Sequence, residues 1–159
     1  MKKTKITQVQ GEALVHANQT DIWEVVKHFG NISDFHPLVK RSYATNQVQG
    51  VGATRHCQLI PVGVMEEEVT KWQEGSGMTA KVIGGKMLPP CHFMHGKLEL
   101  TPVPNGTLAR FTFSYQMKYG ILGQLMNHLF IKPQFKSAPI KYANGLKNYV
   151  ELSKASKAL

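Results

Sequence analysis

The residues best suited to chemistry are the run Glu66-Glu67-Glu68 and, eleven positions before it, Arg55. In a strand, Glu67 points away from its two neighbours and shares a face with the apolar Met65 and Val69. A carboxylate on an apolar face is costly unless it is paired or functional. Arg55 shares its own face with Cys57 and Leu59, so a neighbouring strand would bring it to Glu67. Two readings stay open on this pattern: a structural ion pair, and the polar floor of a ligand cavity.

Other constellations are weaker. Cys57, Cys91, His92 and His95 suggest zinc only by type. Structural zinc sites pair ligands as C-x2-4-C or H-x3-5-H, and neither pairing occurs, so no metal is expected. Gly75-x-Gly77-x-x-Ala80 has the spacing of a dinucleotide fingerprint, but that motif must open a helix. Here Val82-Ile83-Gly84-Gly85 follows, which reads as strand and turn, and no cofactor is expected. The G-x-S-x-G elbow of serine hydrolases is absent. Nothing local lowers the pKa of either cysteine.

Composition narrows the class. The chain has 159 residues, 42% hydrophobic and 18% charged, which suits one domain spanning 1–159 with a substantial core. Nineteen Lys and Arg against ten Asp and Glu give a net charge of +9. A positive surface suits nucleic acid, an anionic membrane or an acidic ligand. The lysines are scattered, however, no basic block of five to eight residues exists, and no nucleic-acid motif is visible. Two cysteines are too few for a disulfide framework. Uncharged stretches reach about 13 residues, short of the ~18 needed to span a membrane. The basic start, Met1-Lys2-Lys3-Thr4-Lys5, lacks the apolar segment of a signal peptide. A soluble, cytoplasmic protein with reduced cysteines is expected.

The elements that must position these groups follow from periodicity. A strand is expected near Lys5 to His16. Asn18 and Asp21 open a helix whose apolar face is Ile22, Val25, Val26 and Phe29, and Gly30 stops it. A short second helical turn covers Ile32 to Phe35, ended by Pro37. From Val39 onward, strands alternate with Gly and Pro turns up to Pro104-Asn105-Gly106, an antiparallel meander. In Leu108 to Tyr119 the residues Phe111, Phe113, Tyr115, Met117 and Tyr119 alternate with polar ones, so one aromatic face needs a covering layer. Leu122, Leu125, Met126 and Leu129, then Tyr142, Leu146, Tyr149 and Val150, mark a C-terminal helix that supplies it. Pro133 and Pro139 predict a kink or break in that helix. Gly145 is expected to weaken its second half by ~1 kcal/mol relative to Ala. The order gives an α+β domain: a curved antiparallel sheet wrapped on a C-terminal helix.

Val15-His16-Ala17-Asn18-Gln19-Thr20-Asp21-Ile22-Trp23-Glu24-Val25-Val26 resembles the N-terminal signature of the START-like SRPBCC superfamily. Phe29-Gly30-Asn31, His36-Pro37, Gly52-x-x-Arg55, Gly63-x-x-x-Glu67-Glu68-Val69 and Leu146-Lys147-Asn148-Tyr149-Val150-Glu151 are similar to its polyketide cyclase/dehydrase and lipid-transport branch. The resemblance runs in order from Val9 to Leu152. It implies the helix-grip fold: a strongly bent antiparallel sheet of about seven strands gripping a long C-terminal helix, with two short helices after the first strand. It also implies an elongated cavity for hydrophobic small molecules between sheet and helix. A distant branch, the plant abscisic-acid receptors, is similar in two loops, Leu59-Ile60-Pro61-Val62-Gly63 and Gly84-Gly85-Lys86-Met87-Leu88. That likeness implies two loops at the cavity mouth. His92 and Phe113 depart from the receptors' pattern, so hormone binding is not carried over.

With that fold, parity gives an inward set. Arg55, Cys57 and Leu59 come from one strand, and Met65, Glu67 and Val69 from the next. Val82, His92 and Met94 come from mid-sheet, and Phe111, Phe113, Tyr115 and Met117 from the last strand. Leu122, Met126, Phe130 and Tyr142 form the helical wall. The first function implied is a carrier or sensor of a lipid, isoprenoid or polyketide-like molecule, oriented by Arg55, Glu67, His92 and Tyr115. The second is a cyclase or dehydratase using Glu67 or His92 as acid or base, with Arg55 or Tyr115 steadying an enolate oxygen. The third is a chaperone- or ribosome-associated interaction module.

Overall fold

The computed structural model describes residues 5–159. The first four residues of the basic start, 1–4, lie outside the described residues. Strand β1, Ile6–Val15, alternates strictly between exposed and buried positions, so Thr7, Val9, Gly11, Ala13 and Val15 face inward. Helix α1, Gln19–Val26, starts at Asn18, whose side chain accepts from the Asp21 N–H, and buries Ile22, Trp23 and Val26. The second helical turn is 3₁₀ and begins earlier than expected, spanning Phe29–Asp34.

Six further strands follow: β2 Val39–Ala44, β3 Thr54–Leu59, β4 Val64–Gln73, β5 Gly77–Lys86, β6 Cys91–Val103 and β7 Gly106–Met117. They form one antiparallel sheet in the order β1-β7-β6-β5-β4-β3-β2. This is the meander anticipated from the turn spacing, with β1 added beside the last strand. Inward positions then line up across the sheet: Arg55 opposite Glu67, Met94 opposite Tyr115, Leu98 opposite Phe111. Beyond the meander, Trp23 and Trp72 stand edge to face at 4.9 Å, and both indole N–H groups donate to the Glu74 carboxylate at 2.7 Å. That pair of bonds ties α1 to the far end of β4.

The C-terminal helix runs without interruption from Gly120 to Lys157, so the expected break at the prolines does not occur. It comprises α2, Gly120–Met126, a π-helical turn, Asn127–Ile131, and α3, Lys132–Lys157. Pro133 sits in the first turn of α3, where its missing N–H costs little. Pro139 is inside the helix and fully buried. It lies where β1 crosses the helix backbone to backbone: a Cβ on Gly11 would stand 2.3 Å from the Pro139 carbonyl carbon. Gly145 makes a second such approach, since a Cβ there would stand 2.0 Å from the Phe35 carbonyl oxygen. The helical cost of this glycine is thus traded for close seating of the helix on the 3₁₀ turn.

The π turn changes which face is inside. Between Gly123 and Pro139 the inward positions recur every fourth residue (Gly123, Asn127, Ile131, Phe135, Pro139), where a 3.6-residue period would drift off them. Leu122 and Phe130, expected in the helical wall, are 62% and 67% exposed. Leu125 and Leu129 are exposed as well, and Met126 is half-buried. From Pro139 onward the spacing is ordinary, and Tyr142, Leu146 and Val150 are buried in the main core with Val15, Ile22, Trp23 and Phe35.

Candidate functional site

The Glu66-Glu67-Glu68 run does split across the sheet. Glu66 faces outward, where it meets the His56 ring, which stacks on Tyr43. Glu67 faces inward and is 5% exposed; Arg55, from β3, is 8% exposed. Arg55 donates to Glu67 Oε2 through Nε at 2.7 Å and approaches the same oxygen through Nη2 at 2.6 Å. Its Nη1 donates to the Phe29 carbonyl at 3.0 Å, and the guanidinium lies 4.0 Å from the centre of the Phe29 ring. The 3₁₀ turn thus holds the arginine from the side opposite Glu67.

Burial alone would lower the Arg55 pKa, but the Glu67 carboxylate outweighs it and the net shift is upward. The guanidinium is permanently charged here. Cys57 lies beside the pair, its Sγ 3.8 Å from Glu67 Oε2. Burial pushes its thiol up to about 12, with Arg55 opposing, so it stays protonated and is no nucleophile at neutral pH.

Tyr142 of α3 completes the polar group. It is buried, and burial raises its phenol well above the usual value, with Arg55 opposing. Its ring stacks on Phe111 at 4.1 Å and meets Phe35 edge-on at 5.2 Å. His36 stands edge-on to it at 5.5 Å. Burial, then Arg55 and Lys141, push the His36 imidazole down to about 4, so it is neutral. A cavity of about 20 Å³ is bounded by Arg55, Glu67, Tyr142, Phe29, Met78 and Phe111, with Ala80, Gly96 and Leu98. That is room for about one water. The elongated cavity expected between sheet and helix is therefore almost closed, because the Phe111–Tyr142 stack occupies its middle.

A second cluster lies nearer the start of the helix. Met94, Tyr115 and Met117 are buried there, with Val82, Leu88, Cys91, Phe113, Met126, Ile131 and Phe135 packed around them. Phe135 meets Phe113 and Tyr115 edge-on at 5.3 and 5.2 Å. The Tyr115 hydroxyl donates to Asn127 Oδ1 at 2.7 Å, and Asn127 Nδ2 donates to the Thr7 hydroxyl at 3.0 Å. Burial pushes the Tyr115 phenol up to about 12.

The structure therefore divides the candidate residues. Arg55, Glu67 and Tyr142 come together at the cavity, Cys57 lies beside the ion pair without lining it, and Val69 is buried nearby with Phe29 and Ala80. Leu59 packs at the edge of the main core. Val82, Met94, Phe113, Tyr115, Met117 and Met126 form the second cluster. His92 joins neither: it is exposed. An irregularity between Cys91 and Phe93 shifts the register against β7 and places Cys91 opposite Met117, their sulfurs 3.7 Å apart. Strict alternation had assigned that inward place to His92. Residues missed from sequence are Phe29, His36, Phe135, Thr7 and Asn127. Asn127 did carry a signal, an amide inside an apolar helical run, but a 3.6-residue period sends it outward. Among the described residues no three His, Cys, Asp or Glu side chains gather as a metal site.

A family model described as polyketide cyclase / dehydrase and lipid transport matches residues 7–153. No curated protein matches the chain in sequence. Solved structures match its shape. TTHA0849 from Thermus thermophilus has a TM-score of 0.77 at 14% identity, over 92% of this chain and 99% of that one. The Zhui aromatase/cyclase from a Streptomyces species has a TM-score of 0.77 at 12% identity, over 92% and 94%. A norcoclaurine synthase from Thalictrum flavum has a TM-score of 0.74 at 16% identity, over 97% and 99%. Together with the seven-stranded sheet and long helix, these establish the helix-grip fold.

Proposed function

Because the chain belongs to the polyketide cyclase / dehydrase and lipid transport family, we propose that it binds a hydrophobic or amphipathic small molecule between sheet and C-terminal helix, as a carrier or sensor. A lipid, an isoprenoid or an aromatic polyketide-like molecule has the right chemistry. The observation that carries this reading is the Arg55–Glu67 pair at the cavity wall. A buried ion pair generally stabilises a fold no better than two well-packed apolar residues. Its place beside a cavity and a tyrosine hydroxyl suits recognition of a ligand carboxylate or carbonyl, for which a guanidinium is a strong donor.

Ligand pockets usually measure about 300–1,000 Å³, so binding must part the walls. Those walls are adaptable: Met78, Met94, Met117 and Met126 have unbranched side chains that repack at little cost. Free Cys57 and Cys91 suit a reducing compartment, and we place the protein in the cytoplasm. Among the described residues no helix is long and apolar enough to cross a membrane.

The second reading, a cyclase or dehydratase, is supported by the aromatase/cyclase and synthase among the structural neighbours. Glu67 would be its acid or base, yet here Glu67 is engaged by Arg55, and His92 lies outside the interior. A carrier or sensor needs no free base, and for that reason is preferred.

The test compares the protein with an Arg55→Met/Glu67→Leu double variant. Native mass spectrometry and extraction of the purified wild type should show a bound amphipathic molecule. The variant should fold with an equal or higher Tm and lose that molecule. Retention of the same molecule by the folded variant would refute the role given to the pair.

A further inference from the structure

The helix surface over the second cluster is apolar on both sides. Inward, Met126, Ile131 and Phe135 pack on Met94, Tyr115 and Met117. Outward, Ile121, Leu122, Leu125, Leu129 and Phe130 are each more than half exposed, and Met87, in the β5–β6 loop, is 75% exposed. That loop adjoins the helix start: the Lys118 N–H donates to the Pro90 carbonyl at 2.9 Å, and Leu88 packs in the same cluster as Met117 and Met126. The loop carrying Ile60 and Val62 joins them, since Gly63 lies against the Lys86 and Met87 carbonyls. Soluble monomers rarely gather this much exposed apolar surface unless something covers it.

The charge around this surface indicates what covers it. Positions 100–150 contain no Asp or Glu at all. Lys118, Lys132, Lys136 and His128 flank the apolar helix face, Lys86 sits beside Met87, and all five are exposed. Among the described residues none of these side chains has an acidic partner. The lysines that are paired (Lys27, Lys81, Lys97 and Lys147) lie elsewhere in the sequence. An apolar helical face rimmed by unpaired lysines is the chemistry that seats a protein in the interface of an anionic bilayer. A second copy is the poorer occupant, because a two-fold contact would set the same lysines against each other.

We propose that this face docks on an anionic lipid bilayer. The exposed side chains of α2, the π turn and Met87 enter the interfacial layer, and the lysines meet headgroup phosphates. The inference deepens the ligand-binding reading and rests on it: the docked helix is the one that covers the interior, so an amphipathic ligand passes between bilayer and protein without crossing water.

The experiment is flotation of the full chain with vesicles of phosphatidylcholine alone, or with about 30% phosphatidylserine. The protein should float with the anionic vesicles and not the neutral ones, and less so as salt is raised. Lys132→Gln and Lys136→Gln should each weaken partitioning about fivefold. Leu125→Ser/Phe130→Ser should abolish flotation with the Tm unchanged, because both side chains are exposed. Equal binding to both vesicle types, flotation unaltered by Leu125→Ser/Phe130→Ser, or failure to float while an acid-rich protein or a second copy occupies the face would each overturn the proposal. The Arg55→Met/Glu67→Leu variant separates the two readings. If that variant floats but still retains the ligand, the interior reading has failed; if it loses the ligand and neither it nor the wild type floats, only this one has.

Discussion

The two halves of the C-terminal helix use apolar residues in opposite ways. From Pro139 to Val150 the apolar side chains are inside apart from Ile140: Pro139, Tyr142, Leu146 and Val150 are buried. From Gly120 to Phe130 most of the larger apolar side chains are outside, while a glycine and an asparagine occupy the fully buried positions. The first half of the sheet's cover is therefore held by polar bonds, Tyr115 to Asn127 to Thr7, together with the packing of Met126 and Ile131, and the second chiefly by packing. Stability and surface chemistry have been assigned to different ends of one helix.

The sharpest way to break this contrast is to remove Arg55. Arg55→Ala leaves Glu67 buried without its partner and should cost about 3–5 kcal/mol in urea unfolding. The Arg55→Met/Glu67→Leu double variant, which removes both charges, should recover all of that loss. A single variant as stable as wild type would mean that the pair is not sequestered. Next in size is Leu146→Ala, which empties a fully buried site and should cost about 2–5 kcal/mol. Leu129→Ala, on the other half of the helix, should change stability by less than about 0.5 kcal/mol. Similar losses at both positions would erase the distinction.

The third effect is a pH dependence confined to the packed half. The unfolded chain takes up a proton at His36 near pH 6.5, whereas the folded ring resists down to about 4. The contribution is complete above pH 6.5 and is lost as pH falls towards 4, by at most about 3 kcal/mol. Urea unfolding between about pH 7 and pH 4.5 should show this slope, and His36→Gln should flatten it. An unchanged slope in His36→Gln would assign the acid sensitivity to another group.

These differences mark where sequence reasoning holds. Strand order, the first helix and its Asn18 cap were legible because each rests on a repeated pattern or a local side-chain bond. So was the Glu66/Glu67 split, since a period of two holds over the stretch from Val64 to Glu68 that pairs regularly with β3. What escaped was each place where the backbone takes in one extra residue. The irregularity at Cys91–Phe93 moved His92 outward, and the π turn at Asn127–Ile131 moved Leu122 and Phe130 outward. Such insertions are decided by packing across the molecule and leave no period of their own to read. The continuity of the helix past Pro139 was hidden for a related reason. Gly11, 128 positions earlier, provides the space that a mid-helix proline needs, and no local window contains both.

The crossing of Gly11 and Pro139 also has a mechanical meaning. With no side chain of Gly11 between the two backbones, it is a close backbone contact of helix and sheet and a natural fulcrum. The arm from Pro139 back to Gly120 is about 30 Å long at 1.5 Å per residue. A rotation of about 5° there would carry the far end by about 2.5 Å, roughly half a helical turn. The clasp on that arm is a single amide, Asn127, bonded to Thr7 of the strand that also carries the fulcrum. Leverage spreads a small change at the crossing into a wide one at the mouth, resisted by the Asn127 bonds and by the packing of Met126, Ile131 and Phe135.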